Sequence, residues 1–297
     1  MELKTIAAIV TNLVFVLLYA PLLNGVERKI RARIQNRLGP PITQTFYDLA
    51  KLFRRSTVAS SSLSYVLASL SFAYIIAASL AIPTIFLATF PRHSDIIYIL
   101  YLVIASTVLL CLASATSSSP FAALGVSREI STVMCIELAL PFLLTTIAIH
   151  VGSLSMKQLV GAPFTSTSPC VALAVALMLP LIYVESTYLP FEIAEAEPEL
   201  ASGIEIEFGG RILALALYTK LIKRLLLVSL LLDLAIPRYV LGWLSIPLYL
   251  ALLTAMSILF AVLDTIFARY RPEQVFRWIK RYSALCMGVA ILGLFAP

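Results

Sequence analysis

Between residues 190 and 210 the chain carries six glutamates: Glu192, Glu195, Glu197, Glu199, Glu205 and Glu207. Glu185 lies just ahead of them. Together they are seven of the sixteen acidic residues in the protein, concentrated between two strongly apolar flanks. A carboxylate beside hydrocarbon is costly unless it faces protein, water or a cation. A solvated acidic loop is the plain alternative. Pro190, Pro198, Gly203, Gly209 and Gly210 punctuate the glutamates as in a shaped turn, which favours a functional cluster. Downstream, Lys220, Lys223 and Arg224 stand at i, i+3 and i+4 in an apolar run, so all three share one helix face. Three bare cations facing lipid are implausible. The stripe should turn inward to carboxylates, with Glu137, Glu185 and the acidic loop as candidate partners. Glu129 lies two turns before Glu137.

The chemistry open to such a set is proton exchange. Clustered carboxylates raise one another's pKa, so they cannot all be ionised together. Moving a nearby cation, or reducing a nearby redox centre, then shifts a proton in or out. That is coupling rather than bond-breaking catalysis, and no G-x-S-x-G, P-loop or zinc motif accompanies it. Cys111, Cys135, Cys170 and Cys286 have no C-x-x-C spacing and read as small buried hydrophobes, so no iron–sulfur cluster is expected in this chain. His93 and His150 lack partners at ligand spacing, which disfavours a haem. No metal site is expected.

The elements that must position these residues are membrane spans. The 297 residues are 60% hydrophobic and 13% charged, against about 25% charged in a soluble domain. Runs long enough to cross a bilayer fall at about 3–24, 65–90, 95–115, 129–150, 170–189, 211–235, 240–263 and 281–296. They lack strict alternation, so the fold class is all-α: a single membrane domain of about eight transmembrane helices. With the N-terminus outside, fifteen lysines and arginines lie at the inner ends or connections and four at the outer ones, which places the acidic stretch on the cytoplasmic side. The net charge of +6 is therefore a topology signal and implies no nucleic acid.

The most basic inner connection, 25–64, holds Arg28, Lys29, Arg33, Arg37, Lys51, Arg54 and Arg55. Gly39-Pro40-Pro41 breaks it. Beyond the break, about 42–55 reads as an amphipathic helix at the membrane surface, with Phe46, Leu49 and Phe53 turned inward and Asp48, Lys51, Arg54 and Arg55 outward. The connection can anchor in lipid headgroups and also dock a partner.

Three motifs resemble the subunit 1 family of respiratory complex I, the heel of its membrane arm. The first is Glu27-Arg28-Lys29 with Gln35, Arg37, Gly39, Pro40, Asp48, Lys51, Leu52 and Phe53. The second is Pro190-Phe191-Glu192 through Glu195, Glu197, Glu199, Leu200, Gly203, Glu207 and Gly210. The third is Arg271, Gln274 and Lys280. The short link after Gly39-Pro40-Pro41, Gly125 to Glu129 with Glu137, and the lysine-bearing sixth span are similar to the membrane anchor subunit of energy-converting [NiFe] hydrogenases and related ferredoxin-dependent complexes. Ala194 replaces a frequent proline, and Glu205 adds a carboxylate where a neutral residue is common.

The resemblance implies a prokaryotic cytoplasmic-membrane protein, non-catalytic alone, that docks a peripheral arm through Glu27, Arg28, Lys29, Arg33, Gln35, Arg37, Asp48, Lys51, Arg54, Arg55, Arg271 and Gln274. The expected partners are hydrogenase-like large and small subunits, antiporter-like membrane subunits and lipid. Fe–S clusters, and a Ni–Fe centre in the hydrogenase reading, would sit in those partners. Ion coupling would run through Glu129, Glu137, Glu185, Glu192, Glu195, Glu197, Glu199, Glu205, Glu207, Lys220, Lys223 and Arg224. The alternatives are a quinone-reducing NADH dehydrogenase subunit 1 and a stand-alone secondary transporter; the latter lacks inverted repeats and paired broken helices.

Overall fold

The computed structural model describes residues 2–57, 61–82, 95–160, 169–194, 202–236 and 245–295. Among them are ten helices: α1 (Glu2–Ile34), α2 (Gln44–Arg54), α3 (Ser62–Ala81), α4 (Ile96–Ala115), α5 (Pro120–Val151), α6 (Met156–Leu159), α7 (Pro169–Glu185), α8 (Arg211–Ala235), α9 (Ser245–Ile266) and α10 (Pro272–Phe295). A 3₁₀ turn, Gly203–Glu205, precedes α8. The protein is an all-helical integral membrane protein. Five helices are long and apolar enough to cross a membrane: Ile9–Ile34 within α1, α3, α4, α5 and α9. α7 is apolar but 17 residues long. Each of the eight runs read from the sequence overlaps one of the helices; residues 83–90, 240–244 and 296 of those runs lie outside the described residues.

Three helices extend well past those runs. α1 continues to Ile34, so Glu27 to Arg33 lie on a helix rather than in a loop. Hydropathy marks where apolar residues stop, whereas the backbone stays helical until a breaker. Here the helix gives way at Asn36, whose φ of 54° is left-handed, just before Gly39-Pro40-Pro41. α5 starts at Pro120, nine residues before the expected 129, and α10 starts at Pro272, nine before 281. In both, proline occupies the first helical position, where its missing N–H costs nothing. Glu129 is therefore inside α5, not at its start.

α8 is the axis of the bundle, in contact with α1, α2, α3, α4, α7 and α9. Every residue from 225 to 234 is buried, as expected of a helix that is apolar all round. α3 packs on α4 through small residues; Ser71 Oγ donates to the Ser106 carbonyl at 2.7 Å, which requires close backbones. α2 lies across one end. Its seat is Gly25, where a Cβ would stand 1.8 Å from the Ile42 carbonyl oxygen. Thr45 and Leu49 are the buried residues of α2; Phe53, expected inside, lies in the helix's last turn and is 38% exposed.

Candidate coupling site

The cations of α8 turn inward. Lys223 Nζ lies 2.6 Å from Glu185 Oε1 at the end of α7, with both side chains under a tenth exposed. Three residues earlier, Lys220 Nζ meets Glu205 Oε1 at 2.5 Å. The added carboxylate of the acidic stretch is thus matched by a base. Arg224 takes a different partner set: its Nε donates to the Ser186 carbonyl at 2.8 Å and its guanidinium sits 4.6 Å above the Tyr188 ring. One α8 face therefore serves three separate neighbours.

From Arg224 the line continues through α1. Tyr188 OH donates to Glu27 Oε1 at 2.9 Å. Arg31 lies 3.4 Å from Glu27 and 2.8 Å from Asp264 near the end of α9. Asp264 in turn accepts the Leu189 N–H at 2.8 Å. Glu27, assigned to partner docking on sequence, is only 4% exposed and belongs to this buried line instead. An α-helix places Glu27 and Arg31 on one face, and that face turns to the core.

Three small cavities follow the same residues. One of about 20 Å³ lies between Glu137 and Glu185. The next, about 30 Å³, is lined by Glu129, Glu185, Lys220, Lys223 and Arg224. The third, about 20 Å³, is lined by Asn24, Glu27, Tyr188 and Arg224. Glu185 is common to the first pair and Arg224 to the second pair. Each has room for roughly one or two waters; the second and third have several polar groups in their walls to hold them, whereas the first is apolar apart from its two carboxylates. Glu137 Oε1 is buried without a hydrogen-bond partner and faces one of these cavities rather than Lys223, which pairs with Glu185. In a low-dielectric core, groups so arranged can pass a proton or reorient a charge, because each state of one group is strongly felt by the next.

Other expected residues divide. Glu192 pairs with Arg269 at 2.8 Å, at the bundle end. Glu207 is half-buried beside the 3₁₀ turn. Glu195, Glu197 and Glu199 lie outside the described residues. The described ends of the acidic stretch rest on Gly125, where a Cβ would come within 3.0 Å of the Ala194 carbonyl oxygen and Gly203. Of the docking set, Arg33, Gln35, Arg37, Lys51, Arg54, Arg55, Arg271 and Gln274 are exposed, while Arg28 and Lys29 are half-buried. Arg28 holds Asp48 at 2.8 Å and Gln44 holds it at 2.9 Å, clamping α2 to α1.

Sequence reading missed Tyr188, Arg31 and Asp264 as members of the line, and also Asp233, fully buried on α8. Asp233 and Asp264 carried a usable signal, since lone acids in apolar runs are functional candidates by default. Tyr188 carried none. Among the described residues no group of three or more His, Cys, Asp or Glu could hold a metal ion.

A helical bundle of this kind, enclosing a buried line of acids and bases, belongs to the class of integral membrane proteins. The chain belongs to the NADH dehydrogenase subunit 1 family: the family model described as NADH dehydrogenase matches residues 6–295. It is 31% identical over 235 residues to hydrogenase-4 component C of Escherichia coli, covering 75% of this chain and 73% of that one. To formate hydrogenlyase subunit 4 of the same organism it is 27% identical, covering 86% and 87%. A NADH-quinone oxidoreductase subunit of Bordetella petrii is 25% identical, covering 92% and 85%. The fold matches a chain in the solved membrane-bound sulfane sulfur reductase, an archaeal respiratory membrane complex, with a TM-score of 0.85 at 20% identity over 97% of this chain and 99% of that one. The protein is thus a membrane subunit of a hydrogenase- or complex I-like assembly.

Proposed function

We propose that this chain is the membrane anchor and coupling subunit of a ferredoxin-oxidising, [NiFe] hydrogenase-like complex. Its exposed basic end docks a peripheral arm of large and small subunits that carry the Fe–S clusters and the Ni–Fe centre. Its buried line links electron transfer there to proton or sodium movement through antiporter-like subunits. The observation that supports the coupling role is the sharing of Glu185 and Arg224 between successive water-sized cavities, which with Arg31 makes a line from Glu137 to Asp264.

Glu205 and Lys220 stand between the acidic stretch and that line. A change of charge in the docked arm would alter the Glu205–Lys220 pair first. The Glu185–Lys223 pair one turn further along α8 would respond next, and Glu137, with its spare oxygen, would take up or release the proton. Similarity to the Bordetella petrii quinone oxidoreductase component over nine-tenths of the chain keeps quinone reduction as the second reading.

The test uses the whole complex in vesicles, supplied with reduced ferredoxin outside and an ion indicator inside. Glu137→Gln and Glu205→Gln remove a titratable proton at nearly constant shape. Both variants should assemble, and ion uptake per electron should fall about tenfold or more, the scale of a lost proton-transfer group. Normal uptake per electron in both would overturn the relay. Reduction of a quinone in place of ferredoxin-linked turnover would select the second reading.

A further inference from the structure

On the flank of the bundle, α7, α9 and the first half of α10 enclose a surface groove separate from the buried line. It consists of two adjoining cavities. The larger, about 570 Å³, is lined by Arg277, Trp278, Arg281, Tyr282 and Leu285. The smaller, about 240 Å³, is lined by Leu179, Pro180, Leu263 and Phe267. Tyr270 and Trp278 border both.

The dividing wall is built rigidly. Trp278 stacks on Tyr282 with centroids 5.0 Å apart and rings 5° from parallel, and Tyr282 OH donates to the Leu177 carbonyl at 3.0 Å. Phe191 packs behind Trp278 at 4.7 Å. Arg277 and Arg281 stand one helical turn apart, both exposed, and Arg277 Nε donates to the Glu273 carbonyl oxygen at 3.3 Å. No carboxylate is among the described residues lining either cavity. Further along α10, Leu285, Ile291 and Leu292 are exposed, as on a surface that hydrocarbon covers.

This face therefore has a cationic fork, an aromatic slab beside it and, deeper along α10, an exposed apolar stripe of Leu285, Ile291 and Leu292. Tryptophan and tyrosine at this depth mark the headgroup level, and basic pockets between spans suit anionic headgroups. We propose that this face binds one anionic diacyl phospholipid, its phosphodiester between Arg277 and Arg281 and an acyl chain running down α10 past Leu285 and Leu292 toward the bilayer centre. A zwitterionic lipid brings an ammonium that two arginines disfavour. A free anion leaves the apolar stripe of α10 unused.

The whole complex, stripped of lipid in detergent, is offered phosphatidylglycerol, phosphatidylcholine or inorganic phosphate, and retained lipid and thermal stability are measured. Phosphatidylglycerol alone should be retained and should stabilise. Arg277→Gln with Arg281→Gln should weaken that retention roughly fivefold per arginine, about thirtyfold together, whereas Lys157→Gln at the other end of the bundle should not. In the wild-type complex, phosphatidylglycerol with a photoreactive acyl chain should label the peptide holding Leu285 and Leu292. Equal retention of phosphatidylcholine, equal stabilisation by phosphate, or undiminished retention by the assembled double variant would overturn the proposal. So would labelling confined elsewhere, or on a partner protein seated in the groove. If the double variant does not assemble, the wild-type photolabel decides.

Discussion

Lys223 and Glu185 illustrate what a buried ion pair does in this protein. Both side chains are under a tenth exposed, so each would be strongly destabilising alone. Their attraction offsets the desolvation of both but adds little beyond that. The expected signature is asymmetric. Lys223→Met alone should destabilise the complex by about 3–5 kcal/mol, because it strands the Glu185 carboxylate. Adding Glu185→Met should restore most of that loss. Thermal unfolding of the three purified complexes measures it; a double variant no more stable than Lys223→Met would refute the pair as a mutual necessity. Retaining such a pair is understandable if its charge is used, which ties this residue-scale energetics to the coupling role.

At the scale of elements, α2 shows how a short helix of 11 residues is held at the bundle end. Gly25 lets residues 42–44 approach α1, and Asp48 reaches back to Arg28. Partial burial pulls the Asp48 carboxyl upward, but the Arg28 and Gln44 hydrogen bonds outweigh it and hold the group below its ordinary value. A depressed carboxyl adds stability that is complete above its unfolded-state pKa and is lost as pH falls through the folded one. The clamp should therefore persist at pH 5 and release only below about pH 4, the ordinary carboxylate range. With Arg28 and Asp48 38% and 44% exposed, its worth is under about 1 kcal/mol. Hydrogen exchange of α2 amides against pH should show that step in the wild type and a flat, less protected profile in Asp48→Asn. A step of the same size in Asp48→Asn would assign the titration to another group.

For the whole molecule, the question is which end faces which side of the membrane. The basic end of α1 meets α2 and the end of α9, and the segment joining α9 to α10 meets the one after α7, as Arg28–Asp48, Arg31–Asp264 and Arg269–Glu192 show. Charge asymmetry predicts that this end is cytoplasmic. Ser56 is exposed there and Gln158 is exposed at the opposite end. In a background without Cys111, Cys135, Cys170 and Cys286, a membrane-impermeant thiol reagent on intact cells should label Gln158→Cys and spare Ser56→Cys. The reverse labelling would invert the orientation and overturn the proposed docking of a cytoplasmic peripheral arm.

The apolar runs by themselves determined that the chain is a helical membrane bundle, because only helices and closed barrels satisfy a backbone in lipid and these runs lack the strict alternation of barrel strands. The cost of a bare cation in hydrocarbon determined that Lys220, Lys223 and Arg224 turn inward. The sequence could not decide which acid meets which base. Lys223 takes Glu185 rather than Glu137, and Glu27 leaves the expected docking surface to join Tyr188 and Arg31. Those choices depend on how α1, α7, α8 and α9 rotate against one another. Such rotation is set by packing across residues more than 150 positions apart, as between Glu27 and Tyr188, and local periodicity holds no record of it.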